Sequence, residues 1–228
     1  LGAVVPSSNT AVEAEFGEVA PEGVTVHAGR MRLDAVTAAA LDAMADDAER
    51  AARLLGDAAV DAVAYACTTG SLLHGPGFDA ELEAALADAA GAPAVATARS
   101  VDRALEALSV ERVAVATPYV ADLNEREREY LDALGYDPVV VDGRGLDENT
   151  AIGALDAGDA YRQARAVAAD ADVDAVFVSC TNYRTLSAIP ALEADLGVPV
   201  VTSNQATLWD LLGVAGVDAD GPGSLFDN

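Results

Sequence analysis

Two stretches of this chain are near copies of each other. Residues 60–70 read VDAVAYACTTG and residues 173–183 read VDAVFVSCTNY, with six of the first nine positions identical. Both are short apolar runs of the length of a buried parallel strand, and both end in Cys-Thr. Two weaker matches follow the same order. Residues 2–6, GAVVP, correspond to 114–118, AVATP, each a strand closed by proline; residues 91–95, GAPAV, correspond to 197–201, GVPVV. A chain rich in Ala, Val and Asp produces V-D-A-V readily by chance. It does not readily place its only two cysteines, Cys67 and Cys180, at equivalent points of three co-linear matches. The repeat therefore organises the fold.

Helical patterns lie between the strands. Thr10-x-x-Glu13 reads as a capping box opening a helix to about Val19, and residues 37–55 as a long amphipathic helix stopped near Gly56. Residues 79–90 and 121–134 each end at a glycine, Gly91 and Gly135. A further helix over 159–169 precedes the second VDAV strand, and a strand is expected over 24–28. Strands alternating with helices of this length imply βαβ units and parallel sheets. The predicted fold class is α/β: two pseudo-symmetric βαβ halves, each a parallel sheet with helices on both faces, with the site in the cleft between them. Residues 1–98 plus 205–217 form the first half and 99–204 the second; 218–228, rich in Gly, Asp and Pro, is expected to be a flexible acidic tail.

Charge narrows the partners. The 228 residues carry 38 acidic and 13 basic side chains, all 13 of them arginine, for a net charge of −25. That balance argues against nucleic acid and anionic membranes as partners. The acids are scattered over helix faces, as in Asp42, Asp46, Asp47 and Glu49 or Glu125, Glu127 and Glu129, which reads as a hydrated surface adapted to high salt. No apolar run is long enough to span a membrane and no secretory h-region is visible, so a cytoplasmic location is expected. Leu1 stands so close to the first strand that the chain is expected to lack its native first residues. The two cysteines fit no zinc spacing and no C-x-x-C, and no glycine fingerprint for a dinucleotide or P-loop occurs; no cofactor and no metal is expected.

In open parallel sheets, ligands bind beyond the carboxyl ends of the strands. Four such ends carry polar or reactive groups: Pro6-Ser7-Ser8-Asn9, Cys67-Thr68-Thr69-Gly70-Ser71, Pro118-Tyr119 and Cys180-Thr181-Asn182. Pseudo-twofold symmetry brings all four to one cleft with a cysteine on each wall. Amides at a helix start are expected to lower the thiol pKa. Thr68, Thr69, Ser71, Thr181 and Asn182 offer donors for a carboxylate or a developing enediolate. A single cysteine is more often a small buried hydrophobe; duplication in register favours the reactive reading. His27 reads as structural and His74 as a loop bystander, Ser8 has no triad partners, Asn149 reads as an N-cap, and Arg184 as a surface ion-pair former rather than a ligand for substrate.

The motifs PSSNT at 6–10, ACTTGS at 66–71, TPY at 117–119, GLDEN at 145–149 and SCTNYRT at 179–185 resemble those of maleate cis–trans isomerases. These belong to the aspartate/glutamate racemase superfamily, which includes arylmalonate decarboxylases. The resemblance runs from Gly2 to about Leu212. It implies that Cys67 is the nucleophile and Cys180 the second catalytic thiol. It also implies that Asn9, Tyr119 and Asn149 bind substrate carboxylates or steady the intermediate. Arylmalonate decarboxylases look similar but keep only the second-half cysteine, so two cysteines disfavour decarboxylation. A relative associated with ectoine degradation is similar too.

The expected activity is isomerisation of maleate, or a close cis-dicarboxylate, to fumarate through a cysteine adduct. A two-base amino-acid racemase would use the same two thiols as acid and base. A non-catalytic dicarboxylate-binding protein would leave them incidental. The expected partners are a small dicarboxylate and further copies of the chain, as a dimer or larger.

Overall fold

The computed structural model describes residues 1–33 and 36–227. The first half contains β1 (Gly2–Pro6), α1 (Val12–Val19), β2 (His27–Met31), α2 (Ala38–Asp57), β3 (Val63–Tyr65), α3 (Thr68–Leu72), α4 (Phe78–Ala90) and β4 (Ala94–Ala96). After α5 (Thr97–Ala107) the second contains β5 (Arg112–Tyr119), α6 (Ala121–Leu134), β6 (Asp137–Leu146), α7 (Asn149–Gly153), α8 (Ala157–Ala168), β7 (Ala175–Val178), α9 (Ile189–Leu196) and β8 (Val200–Thr202). The chain closes with α10 (Ser203–Val214) and a 3-10 turn, Ser224–Asp227. The sheets are ordered β2-β1-β3-β4 and β6-β5-β7-β8, and every pair is parallel. The same order arises twice because the same apolar runs occur twice: β1 and β5, then β3 and β7, are the repeated segments.

These central strands are buried on both faces, which explains their unbroken apolar character. On one face of the first sheet, Val4, Met31, Val63 and Tyr65 pack with Leu41, Met44, Leu55 and Leu86 of α2 and α4. The other face carries Leu1, Ala3, Val5, Ala64 and Val95. It is covered by Phe16 of α1 and by Leu208, Leu211 and Leu212 of α10. In turn α5 lays Ala98, Val101 and Leu105 against Val113, Val115, Phe177 and Val201 of the second sheet. Each half thus ends in a helix that covers the other half's sheet.

Several local expectations need correction. Thr10 is no capping residue: α1 begins after Ala11, and the Asn9 carboxamide oxygen accepts from the amides of Ala11 (3.0 Å) and Val12 (3.1 Å). The second strand lies at His27–Met31 rather than 24–28, because pairing with β1 sets its register. The ten-residue β6 was not anticipated; it is an edge strand with one buried residue, and its apolar run over 138–141 gives way to Asp142, Gly143, Arg144 and Gly145. The tail expected to be flexible is packed instead. Leu225 is buried, Phe226 packs beside α10's cluster, and Glu193 accepts from the Ser224 amide (3.0 Å). Three anchors outweigh the Gly/Asp/Pro composition.

Candidate active site

All nine residues expected at the site line one small pocket: Asn9, Cys67, Thr68, Thr69, Tyr119, Asn149, Cys180, Thr181 and Asn182. Pro6, Leu33 and Val36 complete its wall. Four of these residues follow β1 or β3, three follow β7, Tyr119 ends β5 and Asn149 starts α7. Convergence of strand ends from both sheets is therefore what makes the site. Thr68 reaches across the halves and donates to the Ser203 hydroxyl (2.8 Å), which also accepts from the Cys180 amide (3.0 Å). Thr181 donates to the Ala66 carbonyl (3.0 Å) and accepts from the Asn9 carboxamide (3.3 Å). Asn182 donates to the Asn149 carbonyl (2.7 Å), and its own oxygen accepts from the Thr10 amide (2.8 Å).

The thiols are buried and free. Cys67 has extended backbone (φ −151°) and sits at the N-cap of α3. Its sulfur accepts from the Gly70 amide and lies 4.0 Å from the Thr69 hydroxyl. Gly70 is required there: a Cβ would lie 2.7 Å from the Tyr65 hydroxyl and 3.1 Å from the Cys67 sulfur. Cys180 instead adopts φ +98°, a left-handed conformation costly for a residue with a side chain. Its sulfur accepts from the Asn182 amide (3.4 Å) and from the Tyr119 hydroxyl.

The expected lowering of the thiol pKa values is reversed. Burial pushes Cys67 up to about 11 against the amide of Gly70, and Cys180 up to about 12 against Tyr119 and the Asn182 amide. One or two amide donors cannot replace the water lost by a buried thiolate. Tyr119 also lies well above its ordinary range, from burial and from the neighbouring Cys180 and Glu127.

Ser71, Arg184, His27 and His74 fall outside the pocket wall. The Ser71 hydroxyl bonds the Cys67 carbonyl (2.8 Å) and accepts from the Ala98 amide (2.9 Å), so it serves the backbone. Asn149 is the first residue of α7 and not its cap; its amide donates to Ser8 Oγ (2.8 Å). Arg184 forms no surface ion pair among the described residues but donates to the Gly153 and Thr10 carbonyls. His27 bonds the Thr25 hydroxyl (3.0 Å), and His74 packs edge-on against Phe78. Two buried groups went unnoticed in the sequence. Ser203 was findable, since the GAPAV/GVPVV match places it just past a strand end. Glu127, counted among the hydrated acids, is 1% exposed. The spacing Leu123, Glu127, Tyr130, Leu131 had put it on the inward face of α6.

Two facing parallel sheets with a thiol from each beside one neutral, donor-lined pocket define a class of α/β enzyme with a duplicated site. The family model described as arylmalonate decarboxylase matches residues 1–226. The arylmalonate decarboxylase of Bordetella bronchiseptica is 33% identical over 100% of this chain and 96% of its own length. The crystal structure of a maleate isomerase from Pseudomonas putida superposes with a TM-score of 0.93 at 30% identity, covering 99% of this chain and 96% of that one. A Nocardia farcinica maleate cis–trans isomerase, carrying a cysteine-to-serine substitution and a covalently bound succinylcysteine intermediate, gives a TM-score of 0.90. It is 29% identical over 99% of this chain and 96% of that one.

The chain belongs to the arylmalonate decarboxylase family. It is an enzyme of that family, and the resemblance to maleate isomerases read from its motifs holds over its full length.

Proposed function

We propose that this enzyme isomerises maleate, or a close cis-butenedioate, to the trans acid through a covalent adduct on Cys67. The observation that carries the reading is the pair of thiols on one small pocket whose other polar groups are neutral donors. Asn9 and Asn149 each have a second amide N–H beyond the one in use, available to a carboxylate oxygen.

The Cys67 thiolate adds to one alkene carbon, and the C=C bond becomes single. The electron pair moves towards the carboxylate on the other carbon, and the enediolate-like charge is met by the pocket's donors. Cys180 protonates that carbon, giving a succinyl thioether. After rotation about the new single bond, Cys180 recovers a proton and the Cys67 sulfur leaves, forming the trans alkene. Few Cys67 thiols are ionised near neutrality, but a high-pKa thiolate is the stronger nucleophile. The succinylcysteine held by the Nocardia farcinica relative supports the adduct.

Maleate incubated with the enzyme and followed by proton NMR tests the reading. Conversion of the maleate resonance to that of fumarate is expected; an untouched spectrum, with turnover of an arylmalonate instead, would overturn it. The charge of −25 supports salt adaptation, since unscreened carboxylates repel most at low ionic strength. A melting temperature that does not rise from dilute buffer to concentrated KCl would refute that part.

A further inference from the structure

Behind the second thiol lies a carboxyl group that the two-cysteine mechanism does not use. Glu127, on α6, is 1% exposed. One oxygen accepts a hydrogen bond from Ser179 Oγ at 2.5 Å, and Ser179 is the residue immediately before Cys180. The other oxygen is buried with no partner. An unpartnered buried carboxylate oxygen is costly, and a carboxyl group in such surroundings holds its proton unusually well.

The surroundings are specific. Glu127 lines a small internal cavity with Thr68 and Leu72 of α3, Ala98 and Val101 of α5, Tyr130 and Leu131 of α6, and Phe177 of β7. Thr68 belongs also to the wall of the substrate pocket, so one side chain separates the two spaces. The titratable groups around it are Tyr119 at the end of β5, Cys180 after β7, and Tyr130 on its own helix, whose hydroxyl is given to Asp79. None of these is a cation.

We propose that Glu127 is a positioning residue for the second thiol, acting on Cys180 through Ser179 and Tyr119 without touching substrate. The proposal rests on the two-thiol reading of the pocket. Burial raises the Glu127 carboxyl to about 7, opposed by the Ser179 hydroxyl. Its negative charge in turn raises both Tyr119 and Cys180. The sign follows: as pH rises through neutrality Glu127 ionises, and Cys180 then holds its proton more firmly. The donor is thereby kept loaded at pH values where the first thiol begins to ionise.

The experiment titrates Cys180 by ultraviolet thiolate absorbance in the substrate-free Cys67→Ser enzyme, with and without Glu127→Gln. The Cys180 midpoint is expected to fall by on the order of one unit on loss of the carboxylate, and Glu127→Asp should retain most of the shift. With both cysteines present, the pH profile of kcat on maleate should show an inflection near 7 that Glu127→Gln removes. Ser179→Ala, which leaves the carboxyl in place but deletes its donor, should move that inflection to higher pH. Should Glu127→Gln fail to fold, the Ser179→Ala shift carries the test. An unmoved Cys180 midpoint, or an inflection indifferent to Ser179→Ala, overturns the proposal. The substrate-free titration reads Glu127 even where maleate is not turned over, so the two readings fail separately.

Discussion

Cys67 and Cys180 end equivalent strands, yet the chain leaves them differently. After Cys67 it passes from extended backbone directly into α3, and the sulfur is served by an amide one turn on. After Cys180 it is forced through φ +98° into a turn, and the next helical residue is Leu186. The first thiol has Thr69 and the Gly70 amide beside it; the second has Tyr119, the Asn182 amide and, further back, Glu127. Duplication thus produced two thiols with one position and two environments. Both thiols are pushed up by burial, the first against the Gly70 amide and the second against the Tyr119 hydroxyl and the Asn182 amide. Symmetry of the fold does not impose symmetry of chemical role.

The largest expected effect tests that division directly. Cys67→Ser should reduce turnover to background, because a serine hydroxyl is far less ionised and a poorer leaving group. Cys180→Ser should cost on the order of 10²–10⁴-fold and leave the adduct standing on Cys67. Mass spectrometry of quenched enzyme should find the added mass on the peptide carrying Cys67; mass on the Cys180 peptide would exchange the two roles. Tyr119→Phe removes one donor to the second thiol and should raise the barrier by about 2–4 kcal/mol, read from kcat/KM.

The comparison sharpens with pH. If Cys67 attacks as thiolate, kcat/KM should climb through the alkaline range towards about 11, where the buried thiol ionises. A plateau at neutral pH would mean the thiolate is already formed and the burial argument fails for that half. The smallest effect concerns the seam. Arg184, from the second half, holds the Thr10 carbonyl of the first. Its replacement by alanine should cost about 1–2 kcal/mol in denaturant unfolding with kcat little changed.

Much of this was legible in the amino-acid sequence. The repeated VDAV runs dictated two equivalent parallel sheets, their Cys-Thr ends located six pocket residues, and the family resemblance added Asn9, Tyr119 and Asn149. What escaped depended on distance and solvent. The direction of the thiol pKa shifts follows from burial, which a strand-end motif does not reveal. Glu127 carried a visible periodicity, but an acid among many acids reads as surface until its helix is docked. β6 escaped because its apolar run, residues 138–141, is followed by Asp142, Gly143, Arg144 and Gly145, which read as a loop although they continue the edge strand. Ser203 acquires meaning only once Thr68 arrives from the other half.

The exchange of terminal helices between sheets sets how the molecule comes apart. A chain cut between Ala96 and Thr97 would give a first fragment with Leu1, Ala3, Val5 and Val95 bare where α10 had lain. The complementary fragment would keep α10 on α5 but leave Leu208, Leu211 and Leu212 uncovered. Neither repeat is therefore a folding unit, although each is a structural one. Unfolding should be a single transition, with amide exchange in β3 and β7 reporting the same opening free energy. The two-thiol pocket is consequently a seam within one cooperative body, and any loss of either sheet takes both thiols out of register at once.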